Sequence, residues 1–260
     1  MKPLEIKHRV IGGGEPLICV PVVEQDAQSV IREITYLSQS TADMIEWRVD
    51  AFRDFTDYNA IRSVFEAVAP LLGEKLFLYT FRTAHQGGMA QVKAEQLDDL
   101  HDLAAESGCV DLVDLEFFEE DRPLHKIKRL REMGVSVIAS HHDFEQTPSP
   151  EVMKMLLEKM CAGGADIVKL AVMPQNYKDV LNLLDVTAQF REENPDTPVI
   201  TMSMGSLGGI SRISGETFGS CVTFGAHEKP SAPGQFAMKE LRQMLDTCLL
   251  YTSPSPRDIS

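Results

Sequence analysis

Eight short apolar runs alternate with amphipathic segments along almost the whole chain, and that repeat leaves few folds open. The runs begin near Leu17, Met44, Lys75, Val110, Val135, Asp166, Pro198 and Cys221, most of them flanked by Gly, Asp or Pro. Helical patterns lie between them, over Ser29 to Leu37, Ile61 to Ala69, Ala94 to Ala105, Leu124 to Met133, Glu151 to Cys161 and Tyr177 to Arg191. Ser149-Pro150 supplies a cap and first turn for the fifth of these, and Gly163-Gly164 its stop. Eight strand-helix units in a chain of 260 residues predict an α/β fold of the (β/α)8 (TIM) barrel type, with the seventh and eighth helices the least marked. The competing layout is an open doubly wound sheet, whose mark is a G-x-G-x-x-G turn after the first strand. Here Val23 is followed by Glu24-Gln25-Asp26 instead. The segment Ile6 to Val10, ahead of Gly12-Gly13-Gly14, reads as a β-hairpin closing the bottom of the barrel.

With no linker before Leu249, residues 1–248 are expected to form one catalytic domain. Residues 249–260 end in the polar, Pro-rich Thr252-Ser253-Pro254-Ser255-Pro256-Arg257-Asp258, resemble translated vector sequence, and read as a disordered or non-native tail. The chain is 43% apolar and 25% charged, which is globular composition, and no apolar stretch approaches the roughly 18 residues that span a bilayer. The start lacks the apolar core of a secretory signal, so a cytoplasmic protein is expected. Cys19, Cys109, Cys161, Cys221 and Cys248 contain no C-x-x-C pair, as expected of reduced thiols without a zinc site. A net charge of −14 disfavours nucleic acid and anionic membranes as partners. An anionic substrate would then need a local basic cluster.

Barrel enzymes build their sites at the C-terminal ends of the strands, and the polar residues of these runs collect there. Strand alternation places Glu46, Arg48 and Asp50 on one face, toward the barrel interior, and Trp47 and Val49 on the other. The third run ends at Phe81-Arg82 and turns through Gln86-Gly87-Gly88, and the fourth puts Asp114 and Glu116 on one face. The fifth ends in His141-His142-Asp143, whose two histidines point in opposite directions and cannot chelate one metal together. Lys169 lies within Ala165 to Val172, a run that reads as a strand buried on both faces. Burial disfavours an ammonium, and a neutral amine in a cleft is the nucleophile that makes a Schiff base with a carbonyl. Taken alone, a strand-end lysine reaching water is the commoner reading, since buried charges are rare. The seventh run leads into Gly205 to Arg212, where glycine-rich backbone could cradle phosphate or Arg212 could grip a carboxylate. Lys229 to Gln235 could fold over the mouth as a lid or be a plain surface loop. These residues fit imine formation with a small, anionic, hydroxylated carbonyl compound, followed by aldol cleavage or dehydration.

Several motifs together resemble type I 3-dehydroquinate dehydratase. They are Glu46-Trp47-Arg48-Val49-Asp50, Phe81-Arg82-Thr83, His142-Asp143-Phe144 with Thr147-Pro148, Val168-Lys169-Leu170-Ala171, Met202-Ser203-Met204-Gly205, Ile210-Ser211-Arg212 and Ser231-Ala232-Pro233-Gly234-Gln235. The resemblance, spanning Leu4 to about Leu245, implies a dimeric (β/α)8 barrel that dehydrates 3-dehydroquinate to 3-dehydroshikimate, the third step of the shikimate pathway, with neither metal nor cofactor. It implies that Lys169 forms the Schiff base and that His142 is general base and then general acid. By the same likeness Arg212 takes the substrate carboxylate, while Glu46, Arg48, Arg82, Ser231 and Gln235 serve its hydroxyls and the lid, and Met202 and Met204 supply apolar wall. The family's glutamate beside the catalytic histidine is replaced here by Gln86, which accepts a hydrogen bond but brings no charge. A lowered His142 pKa and slower turnover are expected. Pro21, where some relatives have serine, is expected to alter substrate contact modestly. Two rivals remain: another Schiff-base class I aldolase-type barrel, or a weakened binding module marked by Gln86.

Overall fold

The computed structural model describes residues 4–228 and 230–252. Strands β1 (Leu4–Ile6) and β2 (Arg9–Ile11) form an antiparallel hairpin. Its two turn residues, Lys7 and His8, both have positive φ (47° and 64°), the mirror-image turn whose twist matches the flanking strands. Lys7 Nζ reaches Asp111 at 2.7 Å, and Arg9 reaches Asp43 at 2.8 Å. Those carboxylates immediately precede barrel strands, so the hairpin is tied across the N-terminal mouth, with Leu4, Ile6 and Ile11 against the interior apolar cluster.

Eight parallel strands follow: β3 (Leu17–Val22), β4 (Met44–Arg48), β5 (Leu76–Thr80), β6 (Leu112–Glu116), β7 (Ser136–Asp143), β8 (Ile167–Val172), β9 (Val199–Ser203) and β10 (Val222–Phe224). From β3 to β9 each pairs with the next in sequence, and β10 returns to pair with β3. Between β9 and β10 the ring is joined by the single bridge Val199 to Ser220 and by the Ser220 hydroxyl, which accepts from Thr201 N at 3.0 Å. The barrel is therefore nearly closed, and every run expected from the sequence became a strand within two residues of its predicted start.

The outer layer consists of α1 (Ala27–Ser38), α2 (Tyr58–Val68), α3 (Ala94–Glu106), α4 (Pro123–Glu132), α5 (Pro150–Ala162), α6 (Tyr177–Glu193), α7 (Gly209–Ile213), α8 (Gly215–Phe218) and α9 (Met238–Thr252). Asp26, Asp57, Ser149 and Asn176 cap their helices by accepting backbone N–H bonds in the first turn. After α5, Gly164 takes the left-handed conformation (φ 85°) that ends the helix. The seventh unit was poorly marked because its helix is split: α7 has five residues, α8 has four, and glycines punctuate both. Helix α9 runs to Thr252, past Leu249 where the tail was expected to begin. Nothing in the sequence stops a helix there until Pro254, and helices usually end at or before the residue preceding a proline. The remaining tail residues, 253–260, lie outside the described residues. Among the described residues, no helix is long and apolar enough to cross a membrane.

Alternation along the strands sorts side chains into two shells. Ile18, Val20, Ile45, Trp47, Phe77, Tyr79, Val113, Val137, Val168 and Leu170 face the helices in one continuous core, worth about 1.5–3 kcal/mol for each large apolar side chain buried. Leu17, Cys19, Met44, Leu76, Leu112, Ile138, Ile167, Ile200 and Val222 fill the interior. Interior positions become polar only near the C-terminal ends of the strands, and this gradient positions the site.

Candidate active site

Lys169 sits between Ile167 and Ala171, the other two inward positions of β8, and is 3% exposed. Its Nζ lies 3.1 Å from Asp114 Oδ2 and 4.4 Å from the centre of the Phe224 ring. The sequence suggested a buried amine, and the structure stations it as one half of an ion pair with Asp114. Asp114 Oδ1 in turn meets Arg82 Nη2 at 2.8 Å and accepts from the Ser140 hydroxyl at 2.6 Å. Arg82 Nη1 donates to Glu116 Oε1 at 2.9 Å and to Ser140 Oγ at 3.1 Å, and Glu116 also accepts from the Thr83 backbone and hydroxyl. Glu46 accepts from the Thr80 hydroxyl at 2.8 Å. Burial alone would raise the Asp114 pKa, but Arg82 and Lys169 outweigh it and hold this carboxyl well below the usual range. Burial likewise opposes the charge on Arg82, and Asp114 with Glu116 overcomes it, so the guanidinium stays protonated.

Strand β7 runs past Ser140 through Asp143, and this extension carries His142 onto the same inward face. Gln86 Oε1 accepts from the His142 backbone N–H at 2.9 Å and lies 3.0 Å from its Nδ1. A backbone N–H can only donate, so this atom must be the amide oxygen. The hydrogen on the neutral ring is therefore assigned to Nδ1, leaving Nε2 as the basic nitrogen. Gln86 is 2% exposed, and its Nε2 has no partner among the described residues. Burial lowers the His142 pKa well below its ordinary value, Arg82 and Lys169 lower it further, and Asp114 opposes them. Phe144 stacks beside the imidazole at 6.4 Å. Gly87 has a φ of 80°, and a Cβ there would stand 2.4 Å from the Phe144 ring, so glycine is required next to Gln86. His141 points outward, edge-on to Phe118 at 5.4 Å, as the alternation predicts.

Asp50 departs from its predicted place. The strand ends at Arg48, and Val49–Ala51 form a 3-10 turn. From that turn the Asp50 carboxylate reaches back to Arg48 in a two-pronged bond, Nε to Oδ1 and Nη2 to Oδ2, both 2.8 Å. It also accepts from the Arg82 and Met89 backbone N–H groups. Arg48 is thus aimed by a neighbour that is not on the strand.

These residues share a cavity lined by Glu46, Arg48, Arg82, Gln86, His142 and Lys169, by the apolar Phe144, Ala171, Met202, Met204 and Phe224, and by Ser231 and Gln235. The loop bearing the last two is internally braced: Gln235 Oε1 accepts from Ser231 N at 2.8 Å, and its Nε2 donates to Ser231 Oγ at 3.0 Å. Lys229, named with this loop in the sequence, lies outside the described residues. Pro233 O accepts from Gly205 N at 3.2 Å and from Arg212 Nη2 at 2.9 Å. A Cβ on Gly234 would come within 2.3 Å of Gly205 O. The glycine-rich segment after β9 therefore seats the loop, and the Gly205 N–H that might have met a phosphate is already used.

Arg212 is the predicted site residue that the structure sets apart. It is 1% exposed, is not among the residues lining the cavity, and keeps Nε and Nη1 without partners among the described residues, and burial pulls its pKa down to about 10. Phe144, Ala171 and Phe224 belong to the wall and were missed. Phe144 and Ala171 each sit two residues beyond a predicted site residue, and the same alternation would have found them. A larger hollow between α3 and α4 lies away from these groups, and its charges pair among themselves, Lys126 with Asp98 and Glu120, and Arg129 with Asp102. Among the described residues, no three His, Cys, Asp or Glu side chains gather as a metal set.

The family model described as type I 3-dehydroquinase matches residues 18–250. The chain belongs to the type I 3-dehydroquinase family. A 3-dehydroquinate dehydratase from Syntrophotalea carbinolica is 41% identical over 253 residues, covering 97% of this chain and 100% of that protein. Among solved structures, the type I 3-dehydroquinate dehydratase of Clostridium difficile, crystallised with covalent modified comenic acid, is 37% identical with a TM-score of 0.92, covering 96% of this chain and 99% of that one. The 3-dehydroquinate dehydratase of Geobacillus kaustophilus is 35% identical with a TM-score of 0.93, covering 97% and 98%. As a member of the type I 3-dehydroquinase family, the chain has the barrel of these neighbours.

Proposed function

We propose that this chain dehydrates 3-dehydroquinate to 3-dehydroshikimate through a Schiff base on Lys169, as the third step of the shikimate pathway toward aromatic amino acids. The observation that carries the proposal is the placement of Lys169 and His142 in one cavity, on inward positions of adjacent strands, with the imidazole held by Gln86 so that Nε2 is the base. Lys169 Nζ attacks the substrate ketone and expels its oxygen as water. The protonated imine acidifies the neighbouring carbon, whose proton passes to His142 Nε2. His142 then returns that proton to the departing hydroxyl, which leaves as a second water. Hydrolysis of the imine consumes one water and frees Lys169, so one water is released overall.

Glu46, Arg48, Ser231 and Gln235 present polar groups toward substrate hydroxyls. Arg82, whose terminal nitrogens are engaged by Asp114, Glu116 and Ser140, orders the floor of the site. The donors that Arg212 keeps unpartnered among the described residues, on Nε and Nη1, are left for the substrate carboxylate. Met202 and Met204 exclude water from the imine. We place the protein in the cytoplasm as a homodimer that uses neither metal nor organic cofactor. Incubation with 3-dehydroquinate tests the activity: a conjugated enone absorbing in the ultraviolet is expected to accumulate. An aldolase would yield none, and absence of the enone with the wild-type protein would refute the dehydratase. The neutral Gln86 favours a second reading, a barrel that binds without turning over, which predicts a trapped adduct but no enone.

A further inference from the structure

We propose that Asp114 is the resident counter-ion of the imine nitrogen, keeping the Lys169 adduct protonated while the neighbouring carbon loses its proton. The inference rests on the Schiff-base reading above and assigns a task that the reading left open. The two oxygens of Asp114 are divided. Oδ1 takes Arg82 Nη2 at 2.8 Å and the Ser140 hydroxyl at 2.6 Å, while Oδ2 meets Lys169 Nζ at 3.1 Å. Arg82 is itself clamped by Glu116 at 2.9 Å, so the carboxylate cannot easily rotate away when Lys169 changes partners. The Asp114 side chain is 0% exposed, and water does not screen its charge. The group is therefore a fixed negative charge, in an interior of low polarity, aimed at the one nitrogen that carries positive charge both before and after the covalent step.

The chemistry needs such a charge. Net, the Lys169 ammonium gives two hydrogens to the ketone oxygen, which leaves as water, and the nitrogen keeps one hydrogen and the positive charge in its new bond to carbon. If that last hydrogen is lost, the imine is neutral and no longer draws electrons from the adjacent carbon–hydrogen bond. An opposite charge within about 4–6 Å raises the pKa of a cation by about 1–3 units. The other charged or titratable groups facing the pair are Cys19 on β3, Glu46 and Arg48 on β4, Arg82 beyond β5, Glu116 on β6 itself and His142 on β7. Strands β9 and β10 offer it only apolar side chains, among them Met202 and Phe224. With Arg82 and Lys169 holding Asp114 far from protonation, it acts as a charge and not as a proton carrier.

The test is the pH profile of kcat for Asp114→Asn, which keeps the shape of the side chain and removes its charge. The alkaline limb, where the imine deprotonates, is expected to move down by about 1–3 pH units, with kcat falling more than KM changes. Ser140→Ala, which loosens Oδ1 but leaves Oδ2 on Lys169, should keep the limb in place, so a limb that moves equally in both variants would reduce Asp114 to a structural anchor. An unmoved limb in Asp114→Asn overturns the inference. Should that variant not fold, the wild-type protein labelled with 15N at lysine and saturated with substrate gives the same answer: its imine nitrogen must read as protonated at every pH at which the protein stays folded, and a neutral imine contradicts the proposal. Absence of any adduct in wild type would instead defeat the Schiff-base reading and is seen separately, by mass.

Discussion

The upper interior of the barrel has two unlike walls. From β4 to β8 it presents Glu46, Arg48, Arg82, Asp114, Glu116, Ser140, His142 and Lys169, whereas from β9 through β10 to β3 it presents Ile200, Met202, Met204, Val222, Phe224 and Cys19. The ionic wall holds Lys169 in a chain of charge-assisted bonds and carries His142 on the neutral amide of Gln86. The apolar wall has no such groups, yet it sets the conditions for them: with Phe224 4.4 Å from Lys169 Nζ, water is kept off the ion pairs and their attraction is less screened. The same low polarity disfavours the imidazolium of His142, so one wall tunes the base that the other supplies.

Removing the nucleophile should separate the walls most sharply. Lys169→Ala is expected to lower kcat by about 10^4-fold or more, since groups acting as a unit lose most of their effect together, and steady-state assays of enone formation check it. Next in size is Arg82→Met, which leaves Asp114 and Glu116 facing one another without their shared cation. Breaking a buried pair in this way should cost about 3–5 kcal/mol in denaturant unfolding, with Lys169 still present.

A smaller effect, in the direction of gain, is expected from Gln86→Glu. His142 must be neutral to act as base, and its folded pKa is lowered, so activity is present above that pKa and lost as pH falls through it. A carboxylate at position 86 stabilises the imidazolium, raises the pKa and improves the base. The rate near neutrality should rise several-fold while the acid limb of kcat/KM moves up by about one pH unit. An unchanged or lower rate across the profile would refute this account of Gln86. The least effect belongs to the apolar wall: Met202→Leu conserves volume and should change stability by less than about 1.5 kcal/mol, with kcat little altered. A large loss of activity there would mean that this wall touches the chemistry directly.

Legibility in the sequence followed the range of the interactions. Period-two alternation within a strand put Asp114 with Glu116 and set His141 opposite His142, because both facts concern neighbours on one run. The pairing of Lys169 with Asp114 was not readable, since it joins β8 to β6 across the intervening β7 and depends on the register of three strands. Asp50 was placed on a strand that ends two residues earlier, because its carboxylate satisfies Arg48 from a turn and no periodicity records that. Arg212 was grouped with the site by motif, and its bond to Pro233, which ties it to the loop over the mouth, joins two distant segments and no periodicity records it. The split seventh unit escaped for a local reason: Gly208 packs so close to Ser203 O that a Cβ would lie 1.9 Å away, and the tight turn there leaves no full helical period to detect.

Borohydride reduction of the protein in the presence of 3-dehydroquinate, followed by intact mass and peptide mapping, addresses the central claim most directly. A stable gain in mass confined to the peptide carrying Lys169 is the expected result. Unmodified protein, or modification at any other lysine, would contradict the account.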